Sequence, residues 1–270
     1  MISYRSIRRG LEAFLPFVGQ EVLDLRKEAE GDSSFSSIKE DNTIVTKADE
    51  LSENLIRNWI QGQFPFDGIR GEELEKKDGD TARTWIIDPI DGTYNFNSFG
   101  KRFGISVGVV EEGTSQCGVI HYPAEEITLS ASQKGGAFLN KVPLMVAEGS
   151  KDLNQALILG QAHPFPDDER FRENNKKQLP LLKRVRNEDL DWCYVASFRK
   201  FLFGHASAIL HCGATPYDIT GVVAIAKELN LFISDYDGKA LDFSKDIISI
   251  VISKYKRLHY QILEILNSKR

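Results

Sequence analysis

The sequence predicts an α/β protein in two lobes, and three observations carry that expectation. The first sixty residues hold two amphipathic helical patterns, residues 85–145 are dominated by short β-favouring runs, and the remainder alternates strand-like with helix-like segments. The lobes are expected at residues 1–145 and 146–270.

Within residues 1–30, Leu11, Leu15, Val18, Val22 and Leu25 stand three and four apart and line one helical face. Residues 31–37 are polar and rich in Gly and Ser, which reads as a loop. A second helix is expected from Thr46, with Leu51, Leu55, Trp59 and Ile60 on its apolar face. Strand-like runs follow at 85–87, 103–110, 118–121 and 127–130. Glu112-Gly113 and Lys134-Gly135-Gly136 separate them as turns, which suits a sheet built of hairpins. Beyond these come a strand at 156–160, a polar helix at 169–182 and a helix with an apolar face at 190–203. A strand at 206–211 precedes a helix at 221–229 opened by Thr215-Pro216. Strands at 232–235 and 247–252 and a terminal helix at 258–266 complete the pattern. The stretch 161–178, with Pro164, Pro166 and many charges, is expected to be exposed. No repeat or low-complexity tract interrupts the chain.

With 41% hydrophobic and 27% charged residues, the composition is that of an ordinary globular protein. The formal net charge is -5, and the densest basic cluster is only Lys183-Arg184-Val185-Arg186. A nucleic-acid surface needs clustered Lys and Arg and is not expected. Cys117, Cys193 and Cys212 form no CxxC pair, which favours free thiols in a reducing compartment. Arg5, Arg8, Arg9 and Glu12 break up every apolar run near the N-terminus, and no stretch reaches the ~18 apolar residues of a membrane helix. The expectation is a cytoplasmic protein with no membrane or nucleic-acid partner.

The chemistry concentrates in Trp85-Ile86-Ile87-Asp88-Pro89-Ile90-Asp91-Gly92-Thr93-Tyr94-Asn95-Phe96. Three β-favouring apolar residues run into two carboxylates spaced i, i+3. A strand is expected to stop at Asp88 and a helix to begin near Gly92. Carboxylates converging at a strand end, beside free N–H groups at a helix start, suit a metal-phosphate site. Taken alone, the same residues also make an ordinary surface turn. Thr46-Lys47-Ala48-Asp49 and Thr215-Pro216-Tyr217-Asp218 each fit a helix start with Thr at the N-cap and an acid at N3. That capping role requires no function, yet it is compatible with one, because the helix dipole keeps such an acid ionised.

Asp88-Pro89-Ile90-Asp91-Gly92-Thr93, with Gly71-Glu72-Glu73 upstream and Tyr217-Asp218 downstream, resembles the inositol monophosphatase family over nearly the whole chain. The resemblance implies an αβαβα sandwich and a Mg2+-dependent, lithium-sensitive phosphomonoesterase, homodimeric, acting on a small phosphorylated metabolite. Carried over position by position, Glu72, Asp88 and the Ile90 carbonyl hold a first metal. Asp88, Asp91 and Asp218 hold a second, with a weaker third beside Glu72. Gly92 and Thr93 present N–H groups to the substrate phosphate, alongside Asp91 and Asp218. Asp49 pairs with the Thr93 hydroxyl to deprotonate the attacking water, in a direct in-line displacement. Hard oxygen donors without paired Cys or His favour Mg2+ or Mn2+ over zinc. Glu73 is expected behind the ligands and Glu75 in solvent. Lys39 is expected in solvent, with an approach to the metal site as the alternative. Asn95 and Phe96 are expected to serve local packing, and the five histidines are treated as ordinary.

The match weakens in three places. Tyr217 stands where the family carries Trp. The small-residue run that members place near the substrate aligns roughly with residues 183–188, which lack small residues and leave Arg186 as a solvated cation or a contact for a second phosphate. A glutamate that meets inositol hydroxyls in animal enzymes falls near His211. Inositol monophosphate is the first expectation for substrate. Fructose-1,6-bisphosphate, 3′-phosphoadenosine 5′-phosphate and histidinol phosphate are alternatives, as is a non-catalytic scaffolding relative.

Overall fold

The computed structural model describes residues 3–39, 43–161, 169–188 and 193–268. In chain order the first half contains α1 (Tyr4–Glu28), β1 (Ser36–Ile38), β2 (Ile44–Thr46), α2 (Lys47–Gln63), β3 (Gly68–Gly71), β4 (Arg83–Asp91), α3 (Thr93–Asn97), β5 (Gly104–Glu111), β6 (Thr114–Tyr122), β7 (Ile127–Ser132), β8 (Gly136–Leu139) and β9 (Val142–Pro143). The second half continues with β10 (Leu157–Gln161), α4 (Glu169–Leu182), β11 (Arg186–Glu188), α5 (Tyr194–Phe203), β12 (Ala206–Ala214), α6 (Pro216–Glu228), β13 (Phe232–Asp235), β14 (Ile248–Ser253) and α7 (Lys256–Leu266).

Five layers result. A seven-stranded sheet runs β3-β4-β5-β6-β7-β8-β9 and is antiparallel throughout except for β3 beside β4. Strand periodicity sorts its side chains: Trp85, Ile87, Val107 and Val109 pack under α1 and α2, while Ile86 and Ile120 face the opposite way. That opposite face meets α5 and α6, whose far sides meet Leu159, Ile209, Ile250 and Ile252 of a five-stranded sheet ordered β11-β10-β12-β14-β13. Leu181 of α4 and Leu258, Ile262 and Leu266 of α7 close the outer face against Ile158, Leu210 and Val251. The αβαβα sandwich expected from the resemblance is the architecture observed.

Several boundaries differ from the sequence reading. β4 does not stop at Asp88 but continues to Asp91, because β5 goes on pairing with it. Residues 36–37, read as loop, join β1, where Ser36 pairs with Thr46 of β2. β3, β8, β9 and β11 have no clear two-residue period and are recruited by their sheet neighbours. The helix expected at 221–229 starts five residues earlier at Pro216, since Thr215 caps it. In the stretch expected to be exposed, Gln178 is instead fully buried and accepts from the Tyr236 hydroxyl at 3.0 Å. Residues 162–168, with Pro164 and Pro166, and residues 190–192 of the expected helix at 190–203 lie outside the described residues. All three cysteines are buried and none forms a disulfide, and among the described residues no helix is long and apolar enough to cross a membrane.

Candidate active site

The register of β4 against β5 shifts between the two signature aspartates: Asp88 stands opposite Ser106 and Asp91 opposite Gly104. In an unbroken strand, residues three apart point to opposite faces. The extra residue of the Pro89-Ile90 bulge restores the parity, so both carboxylates leave the sheet on the side that α6 covers. Proline suits the bulge because no ladder hydrogen bond is asked of it. Ser52 of α2 donates to the Pro89 carbonyl at 2.9 Å and pins the distortion from the other face.

α6 contributes the third acid. Asp88, Asp91 and Asp218 each offer an oxygen, and these atoms lie within 4.8 Å of one another. Thr215 donates from its N–H at 2.5 Å and its hydroxyl at 2.8 Å to Asp218 Oδ2, so the capping box is real and aims the acid at the cluster. Asp91 is held by the first turn of α5: the Tyr194 N–H donates to Oδ1 at 3.0 Å and the Val195 N–H to Oδ2 at 2.5 Å. Asp88 Oδ1 is buried with no hydrogen-bond partner. An unsatisfied buried carboxylate oxygen is costly, and a hard cation among three oxygen donors would satisfy it. The donor set therefore fits Mg2+, Mn2+ or Ca2+ and not a thiophilic metal.

The crowding shows in acid–base behaviour. Burial lifts the Asp88 carboxyl well above its usual range, with Glu72, Asp91, Asp218 and Asp49 adding to the effect. Burial and then Asp218 push Asp91 up to about 7, against the lowering influence of the Val195 and Tyr194 donors. Asp218 is raised by burial and opposed by Thr215. Two unit charges ~4 Å apart repel by about 4 kcal/mol at an effective dielectric near 20, so the cluster is protonated or cation-filled, not bare.

Beside the acids lies a hydrogen-bonded pair. The Thr93 hydroxyl is 3.2 Å from Asp49 Oδ1 and 2.9 Å from the Ile90 carbonyl oxygen. Asp49 Oδ2 accepts from the Thr46 N–H at 2.8 Å and hydroxyl at 2.6 Å, so Asp49 also caps α2 while its second oxygen faces Thr93. Burial raises Asp49 to about 6 despite the Thr46 donors. Gly92, the residue preceding α3, adopts φ 89°, and a Cβ there would come within 2.9 Å of Cys193 Cβ. Asn95 donates to the Arg102 carbonyl at 2.9 Å and Phe96 packs edge-on to Phe103, the local roles expected of them.

The Gly-Glu-Glu element approaches from the end of β3. Lys39 is not solvated as expected: its Nζ lies 2.6 Å from Glu73 and 3.4 Å from Glu72. The Glu72 carboxyl is raised by burial and by Glu73, Asp218 and Asp49, with Lys39 opposing, although 34% of its side chain reaches solvent. The sequence reading missed Glu53. This fully buried acid accepts from the Glu73 N–H at 2.8 Å and the Leu74 N–H at 3.2 Å, and pairs with Arg57 at 2.7 Å. Its position four residues after Asp49 on one face of α2 was the available signal.

The alignment of residues 183–188 with the substrate region is corrected. The segment facing Asp91 is Cys193-Tyr194-Val195, in which the Tyr194 and Val195 N–H groups are the donors described above. Arg186 pairs in register with Leu157, which pairs with Ala206 at the start of β12, whereas Asp218 follows the end of that strand. Arg186 thus sits at the opposite end of the strands from Asp218 and does not meet the site. His211, by contrast, lies buried against the Tyr194 ring, centroids 5.0 Å apart and nearly perpendicular.

Comparison with known proteins shows the family and the fold. The model of the inositol monophosphatase family matches residues 15–270. A fructose-1,6-bisphosphatase/inositol-1-monophosphatase of Thermotoga maritima is 33% identical over 207 residues, covering 76% of this chain and 77% of its own. A histidinol-phosphatase of Chlorobaculum parvum is 31% identical over 202 residues, covering 74% and 76%. The crystal structure of an IMPase/NADP phosphatase complexed with Mg2+ and phosphate superimposes with a TM-score of 0.82 over 98% of this chain and 97% of that one, at 22% identity, a likeness of fold.

Proposed function

The chain belongs to the inositol monophosphatase family and is a phosphoric monoester hydrolase, and on that premise we propose that it hydrolyses a small polyol or sugar phosphate with Mg2+ as cofactor. The observation that carries the reading is the Asp88, Asp91 and Asp218 cluster, with its oxygens within 4.8 Å and the buried Asp88 Oδ1 left without a hydrogen bond. When bound, one cation would be held by Glu72, Asp88 and the Ile90 carbonyl and a second by Asp88, Asp91 and Asp218, with a third position beside Glu72. Bound divalent cations supply Lewis acidity toward phosphate oxygens, lower the pKa of water and neutralise the leaving oxygen. The structural neighbour complexed with Mg2+ and phosphate supports the same choice.

The protein's own groups do the remaining work. Gly92 and Thr93 N–H groups, at the start of α3, receive phosphate oxygens. Thr93 Oγ1 accepts a hydrogen bond from the attacking water while its own proton points to Asp49, which takes the proton as the water attacks in line. With a carboxyl at about 6, Asp49 is ionised at neutral pH and still basic enough for the task. Inositol monophosphate is the first substrate. Fructose-1,6-bisphosphate and histidinol phosphate follow, since relatives near 30% identity carry those names. A non-catalytic scaffold would lose an acid or the water-activating pair, and Glu72, Asp88, Asp91, Asp218, Asp49 and Thr93 are all present.

The test is phosphate release from inositol-1-phosphate, fructose-1,6-bisphosphate, 3′-phosphoadenosine 5′-phosphate and histidinol phosphate, with and without Mg2+ and with added lithium. Mg2+-dependent release from one favoured ester, inhibited by lithium and abolished in Asp91→Asn, is expected. Release that is unaffected by chelation, or retained in Asp91→Asn, would refute the assignment.

A further inference from the structure

Arg70 lies two residues before Glu72, in register with Ile86 on the face of the seven-stranded sheet that looks toward α6. Its guanidinium reaches two other elements. Nε donates to the Tyr217 hydroxyl at 3.4 Å, and the guanidinium carbon stands 5.3 Å from the centroid of the Tyr217 ring. Nη2 donates to Asp246 Oδ1 at 2.8 Å. Tyr217 precedes Asp218 in the first turn of α6, and Asp246 lies in the connection leading to β14. One side chain therefore ties the strand that delivers Glu72 to the helical turn that delivers Asp218 and to the lip of the second sheet.

The three contacts are unequal. The Asp246 side chain is 86% exposed, so its ion pair is a surface pair of small worth. Arg70 is only 18% exposed, and its stacking on Tyr217 is the sheltered contact. Tyrosine is the aromatic that serves both parts of it. Phenylalanine would keep the ring and lose the acceptor, while the indole N–H of tryptophan only donates and would oppose the Arg70 N–H. Glu72 and Asp218 come from different layers, and the Arg70–Tyr217 contact is a direct tie between the elements that bear them. We propose that Arg70 is a positioning residue which, through Tyr217, sets the separation of Glu72 and Asp218. The inference rests on the metal-dependent reading given above.

The test is Mg2+ titration by calorimetry without substrate, on the full chain and on Arg70→Met, Arg70→Lys, Tyr217→Phe and Asp246→Ala, with thermal midpoints recorded alongside. Arg70→Met is expected to bind Mg2+ about ten-fold more weakly, the scale seen when a partner that orients a metal ligand is lost. Arg70→Lys, which keeps the charge without the planar fork, falls close to it. Tyr217→Phe is intermediate, and Asp246→Ala stays near the parent. Arg70→Met combined with Tyr217→Phe is no worse than Arg70→Met alone, since both remove one contact. Parental Mg2+ affinity in Arg70→Met, or additive losses in the double variant, overturns the inference and leaves the metal reading standing. No Mg2+ binding by the parent chain overturns both. If Arg70→Met fails to fold, Tyr217→Phe decides, and parental affinity in it overturns the role.

Discussion

Thr93 Oγ1 lies 3.2 Å from Asp49 Oδ1, a contact made between α3 and α2 and outside the trio of carboxylates Asp88, Asp91 and Asp218. Because Thr93 is not among the clustered acids, its loss should separate the proposed water activation from the proposed cation binding. Thr93→Ala is expected to lower kcat by about 10²–10⁴, the usual worth of a positioned proton-transfer group, with Mg2+ affinity unchanged. Thr93→Ser should recover much of the rate. Calorimetric loss of the Mg2+ site in Thr93→Ala would show that the hydroxyl serves the cation instead.

Asp88 contributes an orphaned oxygen in a crowded, buried setting. Asp88→Asn removes one of the repelling charges while keeping the volume. Turnover should vanish and the stabilisation given by Mg2+ should go with it, yet the metal-free protein at pH 8 should melt no lower than the parent. A metal-free variant that melts well below the parent would mean that the carboxylate is held by partners in the fold and not by a cation.

Much of this was legible from local sequence, for identifiable reasons. Asp49 and Asp218 announce themselves by Thr capping boxes, and both boxes form while each acid also faces the site. Asp88, Asp91, Gly92 and Thr93 fall within six residues, so one strand-to-helix junction delivers them together. What stayed hidden depends on partners far along the chain. That Asp88 and Asp91 share a face follows from the shift against Ser106 and Gly104, which β4 alone does not reveal. The Tyr194 and Val195 donors lie about a hundred residues from Asp91, and backbone N–H groups leave no side-chain signature. Lys39 looked solvated because its partners, Glu72 and Glu73, lie 33 and 34 residues further along the chain.

Glu53 tests how the Gly-Glu-Glu element is held. A Cβ on Gly71 would fall 1.9 Å from Glu53 Oε1, so the strand end and this buried acid touch without room for a methyl group. Gly71→Ala is expected to destabilise by roughly 1–3 kcal/mol through overpacking, and to weaken Mg2+ binding as Glu72 shifts. Glu53→Ala should cost more, about 3–5 kcal/mol, since it leaves the Arg57 guanidinium without its carboxylate. Denaturant unfolding measures both, and a harmless Gly71→Ala would mean that Glu53 can move without consequence.

The raised carboxyls give the metal-free protein an unusual dependence on pH. Asp91 is pushed up to about 7 and Asp88 well above the carboxylate range, with burial the largest cause in each. In this window the folded state keeps protons that the unfolded chain, with carboxyls near 4, has released, so stability falls as pH rises through the raised values. His121 and His259 act with the opposite sign: burial lowers each to about 4, and their contribution grows with pH until it is complete near the unfolded histidine value of about 6.5. Lys254, lowered to about 8, adds stability only above that pH. Between about pH 6.5 and 8 the acids are therefore left in control. In EDTA the thermal midpoint should decline across that interval. In saturating Mg2+ it should hold or rise, because the cation binds the deprotonated cluster and meets fewer competing protons as pH increases. A metal-free midpoint that rises with pH, or one that Mg2+ fails to separate from the EDTA curve, would show that the cluster does not hold its protons against a cation.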